Sequence, residues 1–403
     1  MDSTNLSPEF LEKIAEYACK YFSECVPKQG KPLVEKIEWT TMACIIQTDE
    51  NNAMKIIAVG TGTKCLGQNE LSSNGDLVSD SHAEVIARRS FQLYLYDQVE
   101  KAILQKHSIL KITKNEDGTG FCELCHGVNF HLFVSHLPCG DAAIFDIVDS
   151  KPASESDDDV PAKKLKLEVH RTGAKLAERL YEDVQCVGKC RIKPGKGDPT
   201  LSMSCSDKIA KWQILGLQGS LLGNFIPEPI VLSAVIIGGS VEFNTEALER
   251  AKHTRFHSKL PEEIRKDHHH LPVVHQSRMN FMEFPQDGKP APASISGCLS
   301  HGSFSVEVSV NGRKQGATKK NFGKPSARVR ICRKNLLKRF LNLIRTFEEH
   351  GFSSSVKTSP DGTYSEVKKL NKDYIQRWLN LKQEVMLGWT VKPDNLQNFT
   401  AND

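Results

Sequence analysis

Ser79-Asp80-Ser81-His82-Ala83-Glu84 and, far downstream, Pro138-Cys139-Gly140 carry the residue types of a hydrolytic metal site. A His-x-Glu and a Pro-Cys, each at the mouth of a helix, are the two halves of a zinc deaminase centre. In that chemistry one His and two Cys thiolates hold the metal. The Glu is not a ligand; it takes a proton from water and delivers it to the leaving amine. The short signature places its second Cys three residues after the first, and here that position is Ala142. A third ligand must therefore come from elsewhere in the chain.

His82 and Glu84 lie two residues apart at a predicted helix start, so both can face one point in front of its N-terminus, where the dipole favours negative charge. Cys139, at the predicted start of a second helix, gains thiolate character in the same way. Several cysteines compete for the third place. Cys122-Glu-Leu-Cys125-His126 has the haem-attachment spacing, but that chemistry needs an export context. The pairs Cys122/Cys125 and Cys186/Cys190 have workable spacing for a separate structural zinc. Cys205 precedes a helical stretch, Lys208 to Leu215, and so sits at a helix mouth too.

The elements that must position these groups read as an α/β core. Ser7-Pro8-Glu9 is a helix start, and Phe10, Ile14, Tyr17 (or Ala18) and Tyr21 repeat at helical spacing, predicting a helix over 8–25. Trp39–Ile46 and Met54–Gly60 predict a strand pair with a turn at 49–52. A long helix is expected from His82 to Gln105, and a strand over Phe130–Ser135 aims at Pro138-Cys139. Leu336–Glu348 and Tyr374–Leu387 read as helices, and Pro285–Pro292 as a loop. The order predicts helices over a mixed sheet. Residues 150–169 break the pattern: an acidic Ser-rich run, Ser154–Asp159, is followed by basic Pro161–Leu167. They are expected to be a disordered insertion whose basic half resembles a nuclear import signal.

The 403 residues carry a net charge of only +4, unevenly placed: Arg313 to Arg339 holds eleven Lys or Arg and no Asp or Glu. Such a field suits a polyanion, either nucleic acid or a phosphorylated small molecule. No apolar run approaches the roughly 20 residues of a membrane span, and the N-terminus lacks the charge and apolar run of a signal peptide. The expected setting is the nucleus or cytoplasm, with no membrane and no DNA partner. The twelve cysteines then read as metal ligands or small buried hydrophobes rather than disulfides.

Ser204-Cys205-Ser-Asp-Lys208-Ile-Ala-Lys211-Trp212, Gly219-Ser-Leu-Leu222, Gly60-Thr-Gly-Thr63-Lys64-Cys65 and His82-Ala-Glu84-Val-Ile-Ala-Arg88-Arg89 together resemble the adenosine deaminases acting on RNA. The resemblance runs from the first helix to the tail at Trp389–Phe399. It implies a cytidine-deaminase-like three-layer core with a large C-terminal extension, one editase domain over 1–403. It also implies zinc on His82, Cys139 and Cys205, with Glu84 as proton shuttle. That family buries an inositol hexakisphosphate behind the active site. The residues that match for it are Arg88 and Arg89, then Lys208, Lys211 and Trp212 after the Cys205 ligand. At the C-terminal end they are Arg333, Tyr364, Lys368, Tyr374, Trp389 and Lys392. Buried cations need anions, which a polyphosphate provides. Position 378 is Trp where the editing enzymes lead one to expect another cation.

Two departures bear on the substrate. The first predicted helix begins at residue 8 with no double-stranded-RNA-binding domain before it, and the loop that carries a Gly-Glu-Gly plug in messenger editors reads Gly195-Lys196-Gly197-Asp198. A Lys cannot replace a flipped base as a neutral partner, but it can contact phosphate. Extrusion costs least for an unpaired base. Arg171–Lys175 and Lys193–Asp198 resemble the transfer-RNA branch of the family, which makes inosine beside the anticodon of alanine tRNA. Thr63, Lys64, Arg171 and Lys196 are the expected RNA contacts. Editing of double-stranded RNA and a non-catalytic zinc-folded RNA-binding role are the alternatives.

Overall fold

Strand and helix periodicity converge on one sheet. The computed structural model describes residues 6–147, 168–170, 174–176, 186–195, 197–239, 244–257, 259–260, 262, 265, 271–282, 288–353 and 361–402. Its main sheet contains β1 (Met42–Thr48), β2 (Met54–Thr61), β3 (Asn129–Val134), β4 (Ala234–Ile237), β5 (Val273–Gln276), β6 (Ala293–Ser300), β7 (Ser303–Val310) and β8 (Arg313–Lys314), in the order β5-β4-β3-β1-β2-β6-β7-β8. β3, β4 and β5 are parallel, and the remaining neighbours pair antiparallel. This is the expected α/β deaminase architecture of mixed sheet and flanking helices.

The period of two along β1 sorts its side chains. Met42, Cys44 and Ile46 face α1 (Pro8–Cys25), whereas Ala43 and Ile45 face α2 (Ala83–Ile103). Ser7 caps α1 by accepting from the Phe10 N–H at 3.2 Å. The buried stripe of α1 is Leu11, Ile14, Ala15, Ala18 and Phe22; the predicted Phe10, Tyr17 and Tyr21 flank it, half-buried. Sixteen of the 21 residues of α2 are buried, so this helix is an internal rod between the sheet and the C-terminal helices. Gly60 permits the closest approach: a Cβ there would lie 2.3 Å from the Ala83 carbonyl oxygen and 2.5 Å from the Ala87 nitrogen. The start of α2, and with it Glu84, is thus pressed against β2.

α3 (Cys205–Leu215), α4 (Arg333–Glu349), α5 (Tyr364–Lys369) and α6 (Lys372–Glu384) complete the layer on the α2 side. Among the described residues no helix is long and apolar enough to cross a membrane. All twelve cysteines are free.

Three expectations need correction. Residues 150–167 of the predicted 150–169 insertion lie outside the described residues, but its last two, Glu168 and Val169, join His170 in a strand antiparallel to Phe145–Ile147, because backbone pairing begins before the biased composition ends. In the predicted 285–292 loop, Lys289–Pro290 pair in parallel with Glu38–Trp39, whereas 285–287 lie outside the description. No helix begins at Cys139: Gly140 adopts φ +108° and only a single 3₁₀ turn, Asp141–Ala143, follows.

His131 on β3 is fully buried, with Nε2 2.9 Å from the Thr48 hydroxyl. Burial pushes its pKa down to about 4. The unfolded chain takes up this proton near pH 6.5, before the folded one does, so stability is full above that pH and falls as pH drops toward 4. In His131→Gln the loss of urea resistance between about pH 7 and pH 4.5 should shrink. An unchanged loss would show that His131 does not drive it.

Candidate active site

Backbone pairing brings the candidate groups together. Asp80–His82 is a short strand paired with Thr63–Cys65, placing Thr63 opposite His82 and Lys64 opposite Ser81. His82 then caps α2, and Glu84, 6 % exposed, lies in its first turn. The Ser204 side chain caps α3 through the Asp207 N–H, and the Cys205 N–H donates to Cys139 Sγ at 3.3 Å. Cys139 therefore faces the N-terminus of α3 instead of a helix of its own. Its pKa is pushed down to about 6 by the hydrogen bond with the Cys205 side chain, with Lys193 and His82 adding to the effect against burial. The Cys205 thiol is raised, by burial first and by Cys139 next. The charge of Glu84 acts on Cys139, Cys205, Lys193 and His136, which marks it as their neighbour.

Asp80, which sequence reading quoted without a role, is the hub. Its carboxylate accepts from His82 Nδ1 at 2.8 Å, from Lys193 Nζ at 2.9 and 3.1 Å, and from Lys208 Nζ. Burial works to raise its pKa, but Lys193, Lys208 and His82 outweigh it and hold the group well below the usual range. With Nδ1 engaged, His82 has Nε2 left as a ligand atom, the carboxylate–histidine pairing found behind metal-bound imidazoles. Lys193, also missed, is fully buried and donates to Cys205 Sγ at 3.1 Å. The signal was present in both cases as period-two spacing, Asp80 before His82 and Lys193 after Arg191, but the strands were too short to recognise.

One imidazole nitrogen and two sulfurs are the donor types of zinc, although the ligand atoms of His82, Cys139 and Cys205 do not all lie within 4.8 Å of one another. The alternative four-cysteine site does not assemble. Cys122 packs in the α2 core, its N–H on the Phe225 carbonyl at 2.6 Å, whereas Cys190 packs beside Met203 and Phe256 in another cluster. Among the described residues, the one set of three His, Cys or carboxylate ligand atoms all within 4.8 Å of each other is Asp97, Glu100 and His301, at the far end of α2. There Asp97 already pairs with Lys101 and His301 at 2.8 Å each, so the cluster explains itself without an ion.

Behind Asp80 lies a cavity of about 380 Å³. All eleven residues expected for a polyphosphate line it: Arg88, Arg89, Lys208, Lys211, Trp212 and Arg333 on one side of the sequence, Tyr364, Lys368, Tyr374, Trp389 and Lys392 on the other. Lys382, which sequence reading missed, adds an eighth cation, and Asp80 is the one carboxylate of the lining. Trp378 sets its ring 3.2 Å from Lys211 Nζ, with Trp389 at 4.9 Å, so position 378 supplies an aromatic face to a cation. Arg88 Nε is buried without a hydrogen-bond partner. Burial, and then Lys368, Arg88, Lys208 and Lys382, depress the Lys211 pKa well below its usual value. Lys392 is depressed likewise by burial and by Arg333, Arg89, Lys208 and Lys368. Eight cations, Arg333 buried and the others half-buried, facing one acid fit a polyanion. The basic run accordingly divides: Arg328, Arg333 and Lys334 are buried, whereas Lys314, Lys319, Lys320, Lys324 and Lys338 are exposed.

Of the expected RNA contacts, Thr63 and Lys64 are half-buried beside His82; Arg171 and Lys196 lie outside the described residues. Asp198, next in that loop, accepts from the Asn69 N–H at 2.7 Å and anchors it to the 68–70 turn.

Residues 58–393 match the family model described as the adenosine-deaminase (editase) domain. The chain is 34% identical over 410 residues to a Drosophila melanogaster tRNA-specific adenosine deaminase 1, spanning 96% of each protein. It is 30% identical over 505 residues to the Homo sapiens tRNA-specific adenosine deaminase 1, spanning 96% of this chain and 99% of the relative. A Mus musculus double-stranded RNA-specific adenosine deaminase is 29% identical over 378 residues, 89% of this chain but 30% of that protein.

Proposed function

Because the chain belongs to the adenosine-deaminase (editase) family and is an enzyme of that type, we propose that it hydrolyses adenosine to inosine in tRNA, beside the anticodon of alanine tRNA. The near end-to-end match to tRNA-specific relatives carries the choice of tRNA. We take 1–403 as one catalytic unit. His82, Cys139 and Cys205 hold zinc, which when bound brings the pKa of a water near 7. Glu84 takes a proton from the attacking water and delivers one to the departing amine. Asp80 fixes the His82 ring, and Lys193 balances the charge at Cys205. Arg88, Arg89, Lys208, Lys211, Trp212 and Arg333, with Tyr364, Lys368, Tyr374, Trp389 and Lys392, hold inositol hexakisphosphate, which neutralises the cavity. Thr63 and Lys64, together with Arg171 and Lys196, contact the RNA. The expected residence is nucleus or cytoplasm.

The test is incubation of the purified protein with total eukaryotic tRNA, then sequencing for adenosine read as guanosine. A single converted site in the alanine anticodon loop is expected. Conversion of perfect duplex RNA with none in tRNA would overturn the tRNA reading and leave the deaminase chemistry standing.

A further inference from the structure

Each candidate metal-binding cysteine has a buried aspartate two residues after it: Asp141 after Cys139 and Asp207 after Cys205. Two arginines serve them, Arg250 at Asp141 alone and Arg255 at both. Arg250 donates from Nε to Asp141 Oδ2 at 3.1 Å and from Nη2 to the carbonyls of Asp141 at 3.0 Å and Ile144 at 2.7 Å. Arg255 donates from Nη2 to Asp207 Oδ1 at 2.6 Å, and its Nε lies 3.9 Å from Asp141 Oδ2. The remaining oxygens are also taken: Asp207 Oδ2 accepts from the Ser204 hydroxyl at 2.6 Å and the Arg191 N–H at 2.8 Å, and Asp141 Oδ1 from the Gly188 N–H at 2.6 Å.

Residues five apart do not share a face of an α-helix; they diverge by about 140° at 3.6 residues per turn. Here the segment between Thr245–Glu249 and Arg255–His257 is a π turn, Arg250–Thr254. Its i→i+5 pattern brings Arg250 and Arg255 to one side. Among the described residues this is the one turn of the rarer helix, and it falls where two arginines must reach a loop and a helix at once.

We propose that Arg250 and Arg255 form a clamp that sets the spacing of Cys139 and Cys205, the π turn being the device that aligns them. The proposal rests on these two cysteines being zinc ligands. Gly140 shows how tight the junction is: a Cβ there would lie 2.2 Å from Ser204 Oγ. Ser206 stitches the same seam, its N–H donating to the Cys139 carbonyl at 3.0 Å. Only Arg255 serves both carboxylates, by a hydrogen bond to Asp207 and an ion-pair approach to Asp141, while its Nε and Nη1 donate to the Ala251 and Lys189 carbonyls at 3.1 Å each; a lysine is a single point charge and cannot make this set.

The test uses full-length Arg255→Lys and Arg250→Lys. Zinc release into a chelator and the sulfur-to-metal absorption of the cobalt-substituted protein are read beside the unfolding midpoint of metal-stripped samples. Arg255→Lys should hold zinc roughly ten- to a hundredfold more weakly, the usual effect of losing a partner behind a metal ligand, with an altered cobalt spectrum. Arg250→Lys should show a smaller change of the same kind, and serves if Arg255→Lys does not fold. Unchanged release and spectra in the variants, with only the stripped midpoint lowered, would overturn the clamp. A wild-type protein that takes up no zinc would overturn the metal assignment and the clamp with it.

Discussion

Glu84→Gln should reduce turnover roughly a thousandfold, within the range supplied by a positioned acid–base group, while zinc content and RNA affinity stay at wild-type levels. The substitution keeps the size and shape of the side chain, replaces one carboxylate oxygen by an NH2 donor and removes the ability to carry a proton. Glu84 is buried at the start of α2, where the close contact at Gly60 fixes it, so no rearrangement should compensate. Its charge acts on both cysteines and on Lys193, which places it beside the candidate ligands. The loss should appear in kcat, with tRNA dissociation unchanged in a filter-binding assay. A loss below about tenfold would remove Glu84 from the proton path. Loss of zinc from the variant would mean that Glu84 is instead a ligand or its support.

The second large effect concerns the cation-lined cavity, and its sign is the diagnostic. With a polyphosphate inside, Lys392→Met removes one partner of a buried charge pairing and should cost about 3–5 kcal/mol of stability. With nothing inside, the same change relieves a buried lysine of desolvation and of repulsion from Arg333, Arg89, Lys208 and Lys368, and should stabilise. We expect destabilisation, together with phosphorus retained in extensively dialysed wild-type protein. A stabilised Lys392→Met and phosphorus-free wild type would sink the polyphosphate reading. The proposed zinc site would feel the same event, since Lys208 lines the cavity while its Nζ holds Asp80, which in turn holds His82.

Much of this was legible in the sequence because periodicity and caps are local. Ser7-Pro8-Glu9 announced α1, and alternation announced β1 and β2. The eleven cavity residues were found by resemblance, and the structure brings all of them to one chamber. What escaped depends on partners distant in sequence. Cys139 was expected to gain from its own helix, yet the favourable dipole comes from α3, 66 residues away, because Gly140 leaves the helical region at once. Lys193 stood in the sequence only as the first residue of the stretch resembling the transfer-RNA branch, and its place in the site shows once Asp80, 113 residues earlier, is set against it. The π turn has no recognised residue code; only the side chains it aligns reveal its use. Lys382 lies one turn after Trp378 on α6, and only the packing of that helix against the chamber shows that both line it.

The pairing of Phe145–Ile147 with Glu168–His170 has an evolutionary and practical consequence. An antiparallel stem holds residues 147 and 168 directly opposite each other, so the chain between them leaves and re-enters the described fold at one point. The entropy of closing a loop rises with the logarithm of its length, about 0.6 kcal/mol per doubling. Sequence drift, lengthening or the grafting of a whole reporter domain between those two residues should therefore leave folding nearly untouched. This stem is a place where lineages can diversify at little thermodynamic cost, and where an engineer can attach a payload.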